Sequence, residues 1–343
     1  SLSLIPSSGG TSNISDLYYS EFDGNGDYIP ELYSGRLPVA DTSHLRIVLR
    51  KIMDYEKFSF PPSNNFWNRT LVTAGNDDGY YLFMNSQVKY LKQTYFNSSN
   101  GFESYAWQYP SSALKDDSLR ILINNGIGLI NYTGHGEASG FSDPALKVSG
   151  IASLNNQGMY PLIIANACKT AQLNAASCFG RDVLLAENKG AIGYIGCTND
   201  SYWSEDFYWS VGTGLADLNA NYSNTGYGAF DRLMHTHNEA PSEWYFTLGQ
   251  MLFAGNMSVS ASTSIYKKYY WETYILLGDP TMMPYLGKPD TISPVIPDTI
   301  PHELTSLSFI SKPYTYISIS DFKTLWDAGF TNNSGSISLD IPA

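Results

Sequence analysis

Charge is scarce in this chain: Asp, Glu, Lys and Arg make up 15% of its 343 residues, where a globular domain usually carries about 25%. What charge there is leans acidic, with 32 Asp and Glu against 20 Lys and Arg, a formal net of −12 at pH 7. Phosphate binding needs concentrated basic surface, so the balance argues against a nucleic-acid partner and favours cationic ones, metal ions or basic side chains. Cysteine is rarer still, with only Cys168, Cys178 and Cys197. An odd count leaves at least one thiol free or paired outside the chain; the spacing suits no metal site, and a disulfide scaffold is not needed at this size. No apolar run reaches the ~20 residues that a membrane-spanning helix requires. The opening Ser1-Leu-Ser-Leu-Ile-Pro6 has neither a basic stretch nor an initiating Met, and reads as a chain end left by processing.

Aromatic residues, by contrast, are abundant at 14%, with 26 Tyr and 7 Trp. A surface that relies on Tyr, Ser, Thr and Asn for its polarity suits a secreted or cell-surface protein. The length is enough for a substantial core and more than one folded unit.

Hydrophobic spacing gives the order of elements. Leu45, Val48, Leu49, Ile52 and Met53 recur at helical intervals within 43–58, which Pro61-Pro62 ends. Arg69–Ala74 reads as a strand, followed by a turn at Gly75-Asn-Asp-Asp-Gly79 and a helix to about residue 95. A helix over 112–124 precedes a strand ending at Tyr132; strands at 161–166 and 191–195 flank a helix over 178–187. Strands alternating with helices predict βα crossovers and a largely parallel sheet. The aromatic 200–285 stretch, with a helical run at 244–254, reads as a lid or wall over that sheet. Residues 288–343 turn Pro-rich and then β-rich, at 305–310 and 314–319.

Two of these strands end in reactive turns. Thr133-Gly-His135-Gly136 follows one and Asn166-Ala-Cys168 follows another, so parallel pairing would bring the imidazole and the thiol together at the strands' C-terminal ends, where open α/β sheets carry their sites. An imidazole that takes the thiol proton creates the nucleophilic thiolate near neutral pH. Backbone N–H groups at Gly136 and Cys168 are natural oxyanion-hole donors. Cys197, at another strand end, is the main rival thiol. An inert buried Cys168 beside an ordinary turn histidine remains the bland alternative.

Several whole phrases resemble the gingipain family of secreted cysteine endopeptidases, and its lysine-selective branch above all: Ser15-Asp-Leu-Tyr-Tyr-Ser20, Asn131-Tyr-Thr-Gly-His-Gly136, Cys178-Phe-Gly180, Ser201-Tyr-Trp-Ser-Glu-Asp206, Tyr270-Trp-Glu-Thr-Tyr274 and Leu277-Gly-Asp-Pro280. The resemblance implies a caspase-like, largely parallel α/β sheet flanked by helices, then a small all-β immunoglobulin-like region. It implies a division into 1–66, the C-terminal part of a first catalytic subdomain; 67–287, the subdomain carrying the His/Cys site; and 288–343, a β-sandwich-like domain that is short for a complete one. It makes Cys168 the nucleophile, His135 the imidazole and Asp77 the carboxylate that orients it, with Asp78 a close rival. Asp206, Trp203 and Thr133 would form a pocket for a basic side chain, Lys favoured over Arg. No organic cofactor is implied, but a structural calcium ion is, held by Asp23, Asn25, Asp27, the Ile29 carbonyl and Glu31.

The substrates implied are proteins or peptides with exposed Lys or Arg, cleaved through a thioester, and the setting is secreted or surface-bound on a bacterium of the gingipain-bearing type. The family's module begins before residue 1, so an N-terminal fragment or propeptide of the same precursor is an expected partner. A transpeptidase using the same dyad and a noncatalytic adhesion or glycan-binding module are the competing readings.

Overall fold

The computed structural model describes residues 13–24, 27–59, 65–287, 292, 299, 304–321 and 323–342. They divide between two compact units, Ser1–Lys288 and Pro289–Ala343.

The first unit is built on a six-stranded sheet of β1 (Arg69–Ala74), β2 (Glu103–Trp107), β3 (Leu129–Thr133), β4 (Leu162–Asn166), β5 (Gly193–Cys197) and β6 (Tyr274–Leu277), in the order β2-β1-β3-β4-β5-β6. Every pairing is parallel except β5 with β6. β3, β4 and β5 are buried at every residue and β1 at all but its first. That explains why their sequences are continuous apolar runs: a parallel sheet covered on both faces has no solvent side to alternate with.

Helices enter where the sequence provides caps. Asp41 accepts the backbone N–H groups of Ser43 and His44 to start helix Thr42–Glu56, and Thr247 forms a capping box with Gln250 at the head of helix Leu248–Ala261. Helix Tyr81–Thr94 packs on β1 and β2, and Leu248–Ala261 packs on β6.

The order of strands creates the site. The chain leaves β1 for β2 on one side, then crosses back over β1 to β3, so the C-terminal ends of β1 and β3 flank a topological switch point. Crevices of this kind are where α/β sheets bind ligands.

Several boundaries differ from the spacing-based expectation. The helix expected over 112–124 is a single 3₁₀ turn, Ser111–Leu114, followed by a helix from Asp116. The strand expected over 191–195 is Gly193–Cys197, and the run at 244–254 is the tail of a turn plus a helix that extends to Ala261. Edge strand β2 lies in a segment with no apolar run, Glu103-Ser-Tyr-Ala-Trp107, because an edge is only half covered.

In the second unit Ser306–Ile310 pairs antiparallel with Ser336–Asp340, and Tyr316–Ser320 pairs antiparallel with Leu325–Phe330. The all-β character is as expected. Among the described residues these are four strands in two pairs, against the seven of a constant-type immunoglobulin sandwich.

Candidate active site

Four loops leaving the C-terminal ends of β1, β3, β4 and β5 carry the reactive groups, and two glycines let the first two loops touch. A Cβ on Gly134 would lie 2.7 Å from the Gly75 Cα and 2.7 Å from the Tyr132 hydroxyl. With no side chain at either position, the β1 and β3 loops meet backbone to backbone. Gly75 N–H donates to the Thr133 carbonyl at 2.7 Å and Gly134 N–H to the Asn166 carbonyl at 3.1 Å, which prolongs the sheet ladder into the site. The buried Tyr132 hydroxyl donates to the His135 carbonyl at 2.6 Å and pins the turn from behind.

Asp77 reaches His135 as a result. Its Oδ2 lies 2.8 Å from the imidazole Nε2, while Oδ1 accepts the Gly79 and Tyr80 N–H groups at 2.8 and 3.2 Å. Partial burial pushes the Asp77 carboxyl up, but the bonds from His135, Gly79 and Tyr80 outweigh it and hold the group below the usual carboxylate range. Asp78 instead accepts the Tyr109 hydroxyl at 3.3 Å. With Nε2–H committed to Asp77, Nδ1 carries the lone pair, so it is the atom available as a base. The imidazole meets Trp203 edge-on with ring centres 5.1 Å apart, and Trp203 is stacked on Tyr80, also at 5.1 Å.

Cys168 follows β4 by two residues. The next residue, Lys169, has φ of 61°, a left-handed conformation uncommon for a residue with a side chain, and its N–H is tied to the Asn199 carbonyl at 2.7 Å. The thiol is paired with Ser201: Sγ accepts the Ser201 N–H at 3.3 Å and donates to the Ser201 carbonyl at 3.6 Å. No hydrogen bond joins it to the imidazole, but both groups line one cavity of about 70 Å³, together with Gly134, Ser201, Trp203 and Asp206. Burial pushes the Cys168 thiol up, the Ser201 N–H opposes that, and the charges of Asp206 and Asp200 add to it. All three cysteines are free, and Cys178 and Cys197 are completely buried. Burial raises both of their pKa values, Cys178 to about 11, and neither lines the cavity.

The two anticipated oxyanion donors lie on loops that touch: a Cβ on Gly136 would meet the Cys168 carbonyl at 3.1 Å. Among the described bonds the Cys168 N–H donates to nothing. Gly136 faces Phe141 across a pair flanked by the Ser142 N–H to His135 carbonyl bond, the wide type of antiparallel pair that leaves both N–H groups out of the ladder.

Asp206 lies on helix Trp203–Ser210 and is 3% exposed. Its Oδ1 accepts two phenols, Tyr270 at 2.9 Å and Tyr274, and its Oδ2 accepts the Ser201 hydroxyl at 2.8 Å. Burial raises its pKa to about 7, with the bonds from Tyr274, Ser201 and Tyr270 pulling against it. Trp203 lines the cavity, whereas Thr133, 2% exposed at the end of β3, stands behind the lining formed by Gly134.

Ser201, Tyr270 and Tyr274, which the structure places against Cys168 or Asp206, carry no role in the sequence analysis. The two phenols come from the junction of helix Lys267–Thr273 with β6, so no single helical or strand period marks them.

Of the five anticipated calcium donors, Asn25 lies outside the described residues. Asp23 is exposed, and the carboxylate of Glu31, then its small desolvation, then that of Asp27 raise its pKa, so three carboxylates crowd one another. Two are partly used internally: Asp27 accepts the Ile29 N–H at 2.8 Å and Glu31 the Phe22 N–H at 2.7 Å. Among the described residues no group of three His, Cys, Asp or Glu is placed to hold a metal ion. The donor chemistry suits a hard cation.

The family model described as Peptidase family C25 matches residues 3–285. Lys-gingipain of Porphyromonas gingivalis is 32% identical over 340 residues, which is 96% of this chain but only 19% of that protein, so the chain spans about a fifth of the length of the curated relatives it matches. A solved structure described as a protease superposes with a TM-score of 0.86 at 31% identity, covering 96% of this chain and 73% of that one. The complex of Porphyromonas gingivalis RgpB pro- and mature domains shares the fold, with a TM-score of 0.77 at 16% identity over 96% of this chain and 74% of that one.

Proposed function

Since the chain belongs to peptidase family C25, we propose that it is a secreted cysteine endopeptidase cleaving after a basic residue, Lys in preference to Arg. One observation carries the reading: the thiol of Cys168, the imidazole of His135 and the buried carboxylate of Asp206 open onto a single cavity.

The reaction follows from the groups present. Sγ swings from Ser201 toward the imidazole, and His135 Nδ1 takes its proton. The thiolate attacks the scissile carbonyl, and the oxyanion is met by the N–H groups of Cys168 and Gly136. The imidazolium, whose charge Asp77 balances through Nε2, gives its proton to the leaving amine. The thioester that remains is hydrolysed by water activated at the same nitrogen.

The preference for Lys rests on lone pairs. Oδ1 of Asp206 already accepts two phenols, while Oδ2 accepts one hydroxyl. A guanidinium would seek both oxygens as a fork, whereas a point-like ammonium is satisfied by one free position on Oδ2. The Trp203 ring that lines the cavity covers the aliphatic stem.

The match to Lys-gingipain supports the same choice, and the pro-domain complex of a fold relative supports a pro-segment as partner. We further assign calcium to Asp23, Asn25, Asp27, the Ile29 carbonyl and Glu31, where it would neutralise crowded carboxylates and brace the loop. Cleavage of a peptide library varied at the residue before the scissile bond (P1) is the test. Lys is expected first and Arg second, with all cleavage and all labelling by an electrophilic lysyl-peptide probe lost in Cys168→Ala. Preference for an apolar or acidic P1, or activity surviving in that variant, overturns the assignment.

A further inference from the structure

Ser201 touches both halves of the site through one residue. Its N–H holds the nucleophile Sγ at 3.3 Å, and its hydroxyl holds the specificity carboxylate, Asp206 Oδ2, at 2.8 Å. The segment is clamped again one residue on, because the Tyr202 N–H donates at 2.9 Å to the same Tyr270 hydroxyl that meets Asp206 Oδ1. Asp206 itself is nine-tenths buried or more, and no cation is paired with it among the described residues. The resting site therefore satisfies its buried carboxylate with hydroxyls alone, and in doing so ties the thiol to Ser201 and away from His135.

Resting on the Proposed function, we propose that Ser201 is a positioning residue that couples occupancy of the Asp206 pocket by an alkylammonium to release of the Cys168 thiol for attack. The free position on Asp206 is at Oδ2, beside the Ser201 hydroxyl. An ammonium arriving there counters the carboxylate's negative charge and draws on the same oxygen, so the Ser201 hydroxyl loses its acceptor and the 201–202 backbone is released from one of the contacts that hold it. The Ser201 N–H moves with it, and Sγ turns to the imidazole.

The charges around Sγ favour the same direction. Asp206 and Asp200 both oppose thiolate formation. Asp200 is already countered by Lys169 at 3.0 Å, so Asp206 is the uncompensated one. The other titratable groups around Asp206 and Sγ are Glu205 beside Asp206, His135 lining the same cavity, the tyrosines 132, 202, 269, 270 and 274, and Cys197. The consequence is an enzyme whose nucleophile is quiet until a P1 lysine is seated, so specificity is expressed in kcat as well as in binding.

The probe is n-butylammonium, with n-butanol as its neutral isostere, and the readout is the rate at which iodoacetamide alkylates Cys168 at pH 7. In that reaction the thiolate sulfur forms the new C–S bond, iodide leaves, and the thiol proton passes to His135 or to water. Saturating n-butylammonium is expected to raise the wild-type rate about tenfold, the gain in thiolate that a one-unit fall in thiol pKa gives, while n-butanol gives no rise. In Ser201→Ala the amine should still bind, by calorimetry, but the acceleration should fall to twofold or less. The same variant should lose kcat on a P1-lysine substrate with KM little changed. Bound amine with no acceleration in wild type, or equal acceleration in Ser201→Ala, overturns the coupling. Both results are distinct from failure of the underlying assignment, which would appear as no lysyl cleavage at all.

Discussion

Replacing Asp77 by Asn tests the base assignment with the smallest structural change. The Asn Oδ1 keeps the acceptor role toward Gly79 and Tyr80 N–H, at 2.8 and 3.2 Å in the parent, so the loop holds its shape. At the other end a carboxylate 2.8 Å from His135 Nε2 becomes an amide N–H. The imidazole must then accept at Nε2 and carry its proton on Nδ1, the nitrogen that should take the proton of Cys168. A hydrogen bond to a charged group contributes about 1.5–3 kcal/mol, and each 1.36 kcal/mol in the barrier is tenfold in rate, a range of about 10- to 150-fold. The His135 side chain is 51% exposed, so solvent screens the pair and the lower part of that range applies. We expect kcat for a lysyl peptide amide to fall about 10- to 50-fold with KM and thermal midpoint little changed. A kcat within about twofold of the parent would refute the role of Asp77.

Three further outcomes follow from the same geometry. Asp206 is buried with a folded pKa of about 7, above the ~3.9 of an unfolded Asp. Between those values the unfolded chain loses a proton that the folded one keeps, so this residue's contribution to stability falls as pH rises, by about 4 kcal/mol in all. Asp206→Asn should therefore gain on wild type in urea melts between pH 4.5 and 7.5, and a difference independent of pH contradicts the assignment. Gly134→Ala puts a methyl 2.7 Å from the Gly75 Cα; the loops must part, with about 1–3 kcal/mol of destabilisation and loss of peptidase activity, and a fully active, equally stable variant would show that the contact is not needed. Chelation of divalent cations should lower the melting temperature, with calcium restoring it; an unchanged midpoint removes the proposed ion.

The element order, the parallel sheet and the Cys168/His135 pair were legible because each is written in local sequence. Buried parallel strands are continuous apolar runs, and Gly134-His135-Gly136 and Ala167-Cys168 mark tight turns at their ends. Edge strand β2 was not legible, since a half-covered strand such as Glu103–Trp107 carries no apolar run. The pocket wall was legible only in part. Asp206 stood out as a carboxylate among aromatics, but the phenols that hold it come from 64 and 68 residues away, and no local pattern announces such a partner.

What the sequence determined by itself, then, is the chemistry available: an imidazole and two candidate thiols at strand ends, an acidic balance, and aromatic segments to wall a pocket. Tertiary structure alone decided which groups meet. It set Asp77 rather than Asp78 against His135 because two loops touch at Gly75 and Gly134, and it opened Cys168 but not Cys197 onto the cavity. It also placed Ser201 between thiol and carboxylate. These choices depend on distances between residues far apart in the chain, set by the crossing order of the strands, and hydrophobic periodicity carries no information about them.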